Sequence, residues 1–397
     1  MSGKSNGKLK IMSIAMGACA LYAVSAGLRS IYGVMVGAIS AETGIAYGAV
    51  SFAIAIGQLV FGVSQPIFGV VALKKSKRFV LMLGSFLMAL GLALIPFCSA
   101  SWMLNLAMGV VLATGTGAVS FGMIMGAVTP VLGDEKAVAV SGMVNASSGI
   151  GGVVFSPLLQ SGFDTLGLKT TLLIFAAIVM LLVPVSRVVS GEEEKAVEGS
   201  KDTSIVPLLK KAFKNRSYWC LLIGFFTCGY HMATIETHLF SQIVSYGISE
   251  ALAAVFFSIY GAATMIGSLF SGFLCEKIPM KYVVTFLYGS RVAWVAILLW
   301  MPKSEWSVLA VMILLGLTGA ATLTPTSGIT SKLFGAENLA TLFGVVFLSH
   351  QLGSFFSSWI GGRCVEMTGD YVVVWVIAMA LSAVAAVASY TIKEKAA

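Results

Sequence analysis

The sequence predicts an all-α membrane protein of twelve transmembrane helices in two pseudo-symmetric six-helix bundles. Three observations predict it. Long apolar runs recur along the whole chain, one long hydrophilic interval divides them, and Lys and Arg favour alternate loops. An α-helix needs about 20 apolar residues to cross the hydrocarbon core, whereas a transmembrane barrel would alternate over segments of about 10. The chain is 58% hydrophobic and 11% charged, and it shows no such alternation. Lipid forces every backbone polar group into internal pairing, which a helix achieves within its own segment.

The spans read, in order, as residues 11–38, 47–72, 79–98, 103–130, 137–160, 168–190, 218–244, 250–275, 281–301, 306–331, 338–361 and 371–392. Lys4, Lys8 and Lys10 precede the first span and imitate a secretory signal. The apolar run behind them is too long for an h-region of about 7–15 residues, so it reads as a span. Residues 1–190 form the expected N-terminal bundle and 218–397 the C-terminal one. Residues 191–217, with GEEEKAVEGSKD and KKAFKNR, read as a solvated, flexible cytoplasmic linker.

Orientation follows from the basic residues, which collect on cytoplasmic loops. With the N-terminus inside, twenty of the 25 Lys and Arg fall on inside segments. Lys169, Lys303 and Arg363 fall outside, and Arg29 and Arg291 lie within spans. Both termini are therefore expected in the cytoplasm, with the chain in the cell (inner) membrane. The same bias accounts for the net charge of +8 without nucleic acid as a partner. The six cysteines have no CxxC or His–Cys spacing and read as small core residues, with no metal and no cofactor implied. No phosphate loop or catalytic triad motif occurs, so an enzyme is not expected. The expected partners are a small organic anion, protons and the bilayer, for a monomeric chain.

Two halves joined by a basic linker suggest an internal repeat. Gly27-Leu28-Arg29 matches Gly229-Tyr230-His231 at an offset of 202, and Gly142 matches Gly344 at the same offset. GVVALKKSKR (69–78) matches GFLCEKIPMK (272–281) at 203. The whole chain resembles the major facilitator superfamily, whose G-x-x-x-D-R-x-G-R loop this element resembles. The second copy keeps the acid and base as Glu276-Lys277, while Leu73 and Ser76 depart from the pattern in the first. GLRSIYGVMVGAIS (27–40), GQLVFGVSQPIFG (57–69), TLTPTSG (322–328) and LFGVVFLSHQLGSF (342–355) resemble bacterial relatives of the monocarboxylate porter and oxalate–formate antiporter families. Val111 stands where drug–proton antiporters carry an Arg. The resemblance implies the major facilitator fold and secondary active transport of a monocarboxylate-like anion by alternating access, with proton symport as the coupling it suggests. Efflux of an amphipathic compound is the alternative, and a sensor that has lost transport is a third reading.

The candidate site residues are the polar groups inside spans, where an ionisable side chain costs about 2.5–3.5 kcal/mol on insertion scales. Arg29 lies about 27 Å along span 1 and is either a snorkelling side chain or a fixed cation for a carboxylate. Arg291 lies about 15 Å into span 9, and a structural role in capping carbonyls competes with ligand binding. His231, Glu236 and His238 share span 7. His231 is expected at the cavity as the repeat mate of Arg29. Glu236 and His231 are the candidates for proton coupling, and His238 reads as functional or as an interface residue. His350 and Gln351 sit in span 11, which usually lines the cavity in the family resembled. Tyr32, Gln58, Gln65, Asn145, Thr324 and Thr326 are uncharged donors and acceptors that could line the same space. The small residues of NASSGIGGVVFSP (145–157) permit close helix approach.

Overall fold

The computed structural model describes residues 2–132, 134–190, 206–335 and 338–394, and among them every regular element is helical. Ten helical stretches are long and apolar enough to cross a membrane. One of them, Met143–Val189, has 47 residues, about 70 Å of helix against a core of about 30 Å. It breaks at Gly167, whose φ of 75° only glycine adopts readily, into the fifth and sixth expected spans. The carboxylate of Glu42 accepts from the Leu168 amide at 3.0 Å, capping the sixth where it starts. The eleventh expected span is the helix Leu339–Thr368. With that division and that addition the spans number twelve.

The chain forms two compact units, Met1–Ala46 with Ile56–Ser200 and Tyr47–Ala55 with Lys201–Ala397. The start of the helix Tyr47–Lys74 thus counts with the second unit and the rest with the first. Residues 191–205 of the expected linker lie outside the described residues. Its remainder is not all coil, since Val206–Phe213 is helical and packs Ala212 beside Tyr218 and Phe334.

The repeat is visible in side-chain bonds. In the first unit Ser147 Oγ donates to the Cys19 carbonyl at 3.0 Å, tying the fifth span to the first. In the second, Ser349 Oγ donates to the Leu222 carbonyl at 3.1 Å, tying the eleventh to the seventh. Both serines also bond one turn back in their own helix, to Val144 and Val346. The seventh and eleventh spans then run in close contact. Ser354 bonds the Gly229 carbonyl, Thr234 meets Ser357 at 2.7 Å, and Thr237 meets Ser358 at 3.0 Å.

Several spans are not plain α-helix. The first breaks at Ile31, between Ser2–Ser30 and Tyr32–Thr43. The fourth and seventh contain wide turns with π bonding, at Asn105–Leu112 and Ile235–Leu239. The tenth tightens to 3-10 geometry at Ala320–Thr322. Pro325 explains this break, because it has no N–H to offer the Ala321 carbonyl. Ser271 Oγ takes that carbonyl instead, at 2.7 Å.

The ends of the second unit's helices carry exposed indoles, Trp219 at one end and Trp300 and Trp306 at the other. Such rings favour the membrane–water interface. Lys303, between the latter two, donates to the Leu298 and Leu299 carbonyls and so finishes the ninth span. Partial burial pulls its ammonium below the usual lysine pKa.

Candidate functional site

Arg29 sits in the last turn of Ser2–Ser30, half-buried, just before the break at Ile31. Two groups of the second span hold it. Its Nη2 donates to Gln58 Oε1 at 3.0 Å, and its Cζ lies 3.6 Å from the centroid of the Phe61 ring. A cation over an aromatic face gains about 0.5–2 kcal/mol, more as water is excluded. Arg29 makes no ion pair among the described residues. Gln58 is 1% exposed, and with its oxygen given to Arg29 its Nε2 is left without an acceptor. A buried amide donor therefore stands beside a guanidinium that pairs with no carboxylate among the described residues. Gln65 continues the stripe two turns on, and its Nε2 also lacks an acceptor. Tyr32 is buried where the next helix begins. Asn145 is exposed, and its carbonyl accepts from Ser148 Oγ.

In the second unit His231 is fully buried and meets Trp375 of the last helix edge-on, with ring centroids 6.0 Å apart. Neither ring nitrogen bonds a described residue. Trp375 is anchored in turn by Gln242 Oε1, which accepts from its Nε1 at 2.6 Å. His238 also turns toward this helix, with its ring 6.3 Å from that of Tyr371. It is fully buried within the protein. The space it fills exists because Gly361 has no Cβ. Glu236 is half-buried on the π turn, in electrostatic reach of Tyr260. Such turns often occur at functional sites.

Arg291 is fully buried, and its partners are backbone. Nη2 donates to the Thr318 carbonyl at 2.9 Å and the Gly319 carbonyl at 2.6 Å, immediately before the tenth span's break. Cys228 Sγ lies 3.6 Å from the same nitrogen, and Tyr288 lies under the guanidinium. The first unit treats the equivalent carbonyl alike. Thr116, 202 residues before Thr318, accepts from Ser25 Oγ at 3.1 Å, just before a break at Val119. Of the two roles expected for Arg291, the geometry supports carbonyl capping. Arg291→Met is expected to leave those carbonyls short of donors, at about 1–3 kcal/mol each, and to lower the melting temperature in detergent while leaving KM unchanged. A changed KM with an unchanged melting curve would contradict this.

His350 is half-buried, stacked on Phe347 at 5.5 Å with 7° between ring planes, and 5.0 Å from Phe225. Gln351 is fully buried, with its Nε2 3.4 Å from His350 Nδ1. Thr324 is exposed, whereas Thr326 is buried and bonds the Thr322 carbonyl. The structure thus joins Arg29 to Gln58 and His350 to Gln351. The residue that sequence reasoning missed is Phe61. Its only signal is its position, one turn after Gln58 on the same face.

Residues 18–358 match the Major Facilitator Superfamily. An uncharacterised MFS-type transporter of Escherichia coli, YhjX, is 25% identical over 79% of this chain and 76% of its own length. Monocarboxylate transporter 13 of Rattus norvegicus is 23% identical over 83% of this chain and 76% of its own. Among solved structures, the nucleoside transporter NupG superposes with a TM-score of 0.77 at 16% identity, covering 96% of this chain and 98% of that one. That likeness concerns the fold alone. Two helical halves related by an internal repeat, and a family match across most of the chain, have one conclusion: this multi-pass membrane protein is a transporter for a small molecule, not an enzyme, and belongs to the Major Facilitator Superfamily.

Proposed function

We propose that the chain carries a small monocarboxylate-like anion across the cell (inner) membrane by proton-coupled alternating access, with both termini in the cytoplasm. The observation that carries this reading is Arg29. Its guanidinium is held by an amide oxygen and an aromatic face, and no carboxylate of the described residues pairs with it. A cation inside a span is costly without a counter-charge, and a substrate carboxylate supplies one. Gln58 Nε2 supplies a neighbouring donor. The resemblance to monocarboxylate transporters supports the same class.

The test is uptake into proteoliposomes from a panel of labelled carboxylates, with and without an inward proton gradient. Accumulation of at least one, driven by the gradient, is the expected result. If none accumulates, the anion reading fails. Glu236 is the carboxyl proposed to carry the coupled proton. Glu236→Gln is expected to abolish gradient-driven accumulation while exchange of labelled for unlabelled anion persists. Unchanged accumulation would remove Glu236 from the coupling step.

A further inference from the structure

The start of the second span, Tyr47–Ala55, packs within the second unit against the seventh and eleventh spans. The helix Tyr47–Lys74 has Ala46 at its N-cap position, which offers no side-chain acceptor. Glu366, near the end of the eleventh span, replaces it. Its Oε1 accepts from the Gly48 amide at 2.9 Å, and its Oε2 pairs with Arg363 at 3.3 Å. On the preceding residue, the Tyr47 hydroxyl lies 3.1 Å from His238 Nδ1. The other edge of that imidazole faces the Ser357 and Ser358 backbone. That arrangement fits a neutral ring whose Nδ1 accepts from Tyr47, while Nε2 lies against Gly361 with no bonding partner among the described residues. Between these contacts Gly48 and Gly362 let the helices approach closely. A Cβ on Gly48 would strike the Glu366 carboxylate, and one on Gly362 would strike Ser51. Phe52 packs on Phe355 and Trp359.

We propose that Tyr47–Ala55 is held by a proton-released latch made of Glu366 and His238. Protonating Glu366 removes the charge that caps the helix and pairs with Arg363. Protonating His238 places a charge on a ring with no exposed surface, and burial disfavours that charge as long as the segment stays docked. The two groups differ in charge type, yet acid weakens the docking through both. The groups facing them are the Gly48 amide and Arg363 at Glu366, and Tyr47, Tyr371 and the Ser357–Ser358 backbone at His238. The inference does not depend on which anion is carried.

The experiment is pulsed electron resonance on the full chain, with spin labels at Ala49→Cys and Met367→Cys and the native cysteines replaced. Distances are read at about pH 8 and about pH 3.5, above and below the ordinary ranges of both imidazole and carboxylate. One short distance is expected at the higher pH. At the lower pH a longer population should gain on it by about tenfold or more in ratio, the scale for losing a hydrogen bond to a charged group. Glu366→Gln with His238→Gln keeps acceptors but removes titration, and should abolish the response to acid. An identical distance distribution at both pH values in the native background would overturn the proposal. So would a full acid response in the double variant.

Discussion

Replacing Arg29 by glutamine is expected to lower uptake efficiency (kcat/KM) for the carried anion by about 30-fold to more than 1,000-fold. Truncating one partner of a buried charge pair costs about 2–5 kcal/mol, and each 1.4 kcal/mol is a factor of ten. The melting temperature should hold or rise, because an unpaired cation leaves the span. Arg29→Lys keeps the charge but loses the fork and the flat face over Phe61, and is expected to retain about a tenth of the activity. Gln58→Leu should fall between the two, since it removes both the oxygen that aims the guanidinium and the spare donor. The check is initial uptake rate against anion concentration in proteoliposomes, with protein content matched. Wild-type kinetics in Arg29→Gln would place the substrate charge elsewhere.

A large effect on stability is expected from a single carbon. A Cβ on Gly229 would overlap the backbone carbonyl of His350, and one on Gly353 would overlap that of Phe226. Neither obstacle is a side chain that can turn aside, so the seventh and eleventh spans must part. Overpacking typically costs about 1–3 kcal/mol, and separation would also stretch the Ser354, Thr234 and Thr237 bonds between the same helices. Gly229→Ala is expected near the upper end, about 3 kcal/mol, seen as a lower melting temperature and a loss of monodisperse protein. Gly344→Ala and Gly272→Ala are the controls, because nothing lies within 4 Å of their added carbon. Equal melting of Gly229→Ala and Gly344→Ala would show that the helices yield at no cost.

Much of the fold was legible because lipid leaves few options. Apolar length, loop charge and a repeat offset of 202 all bear on the same architecture. Departures from regular helix were legible only where covalent chemistry forces them. Pro325 announces the break in the tenth span, but no residue type announces the π turn at Ile235–Leu239. In the site, Arg29 was conspicuous as a charge in an apolar run, whereas Phe61 was invisible as one phenylalanine among 24. The repeat set His231 at the position equivalent to Arg29, yet equal backbone positions do not give equal side-chain reach. The long guanidinium extends to Gln58, and the short imidazole rests on Trp375. Arg291 could be read as buried, but its role depends on carbonyls released by a helix break and so required the structure.

The indoles at the helix ends have a practical consequence. Trp300 and Trp306 are 77% and 80% exposed, and Trp219, at the opposite end of the second unit, is 50% exposed. In a bilayer these rings meet the headgroup region from both leaflets and mark the thickness the protein prefers. Native fluorescence, quenched by lipids brominated at graded depths, would therefore report that thickness without any added probe.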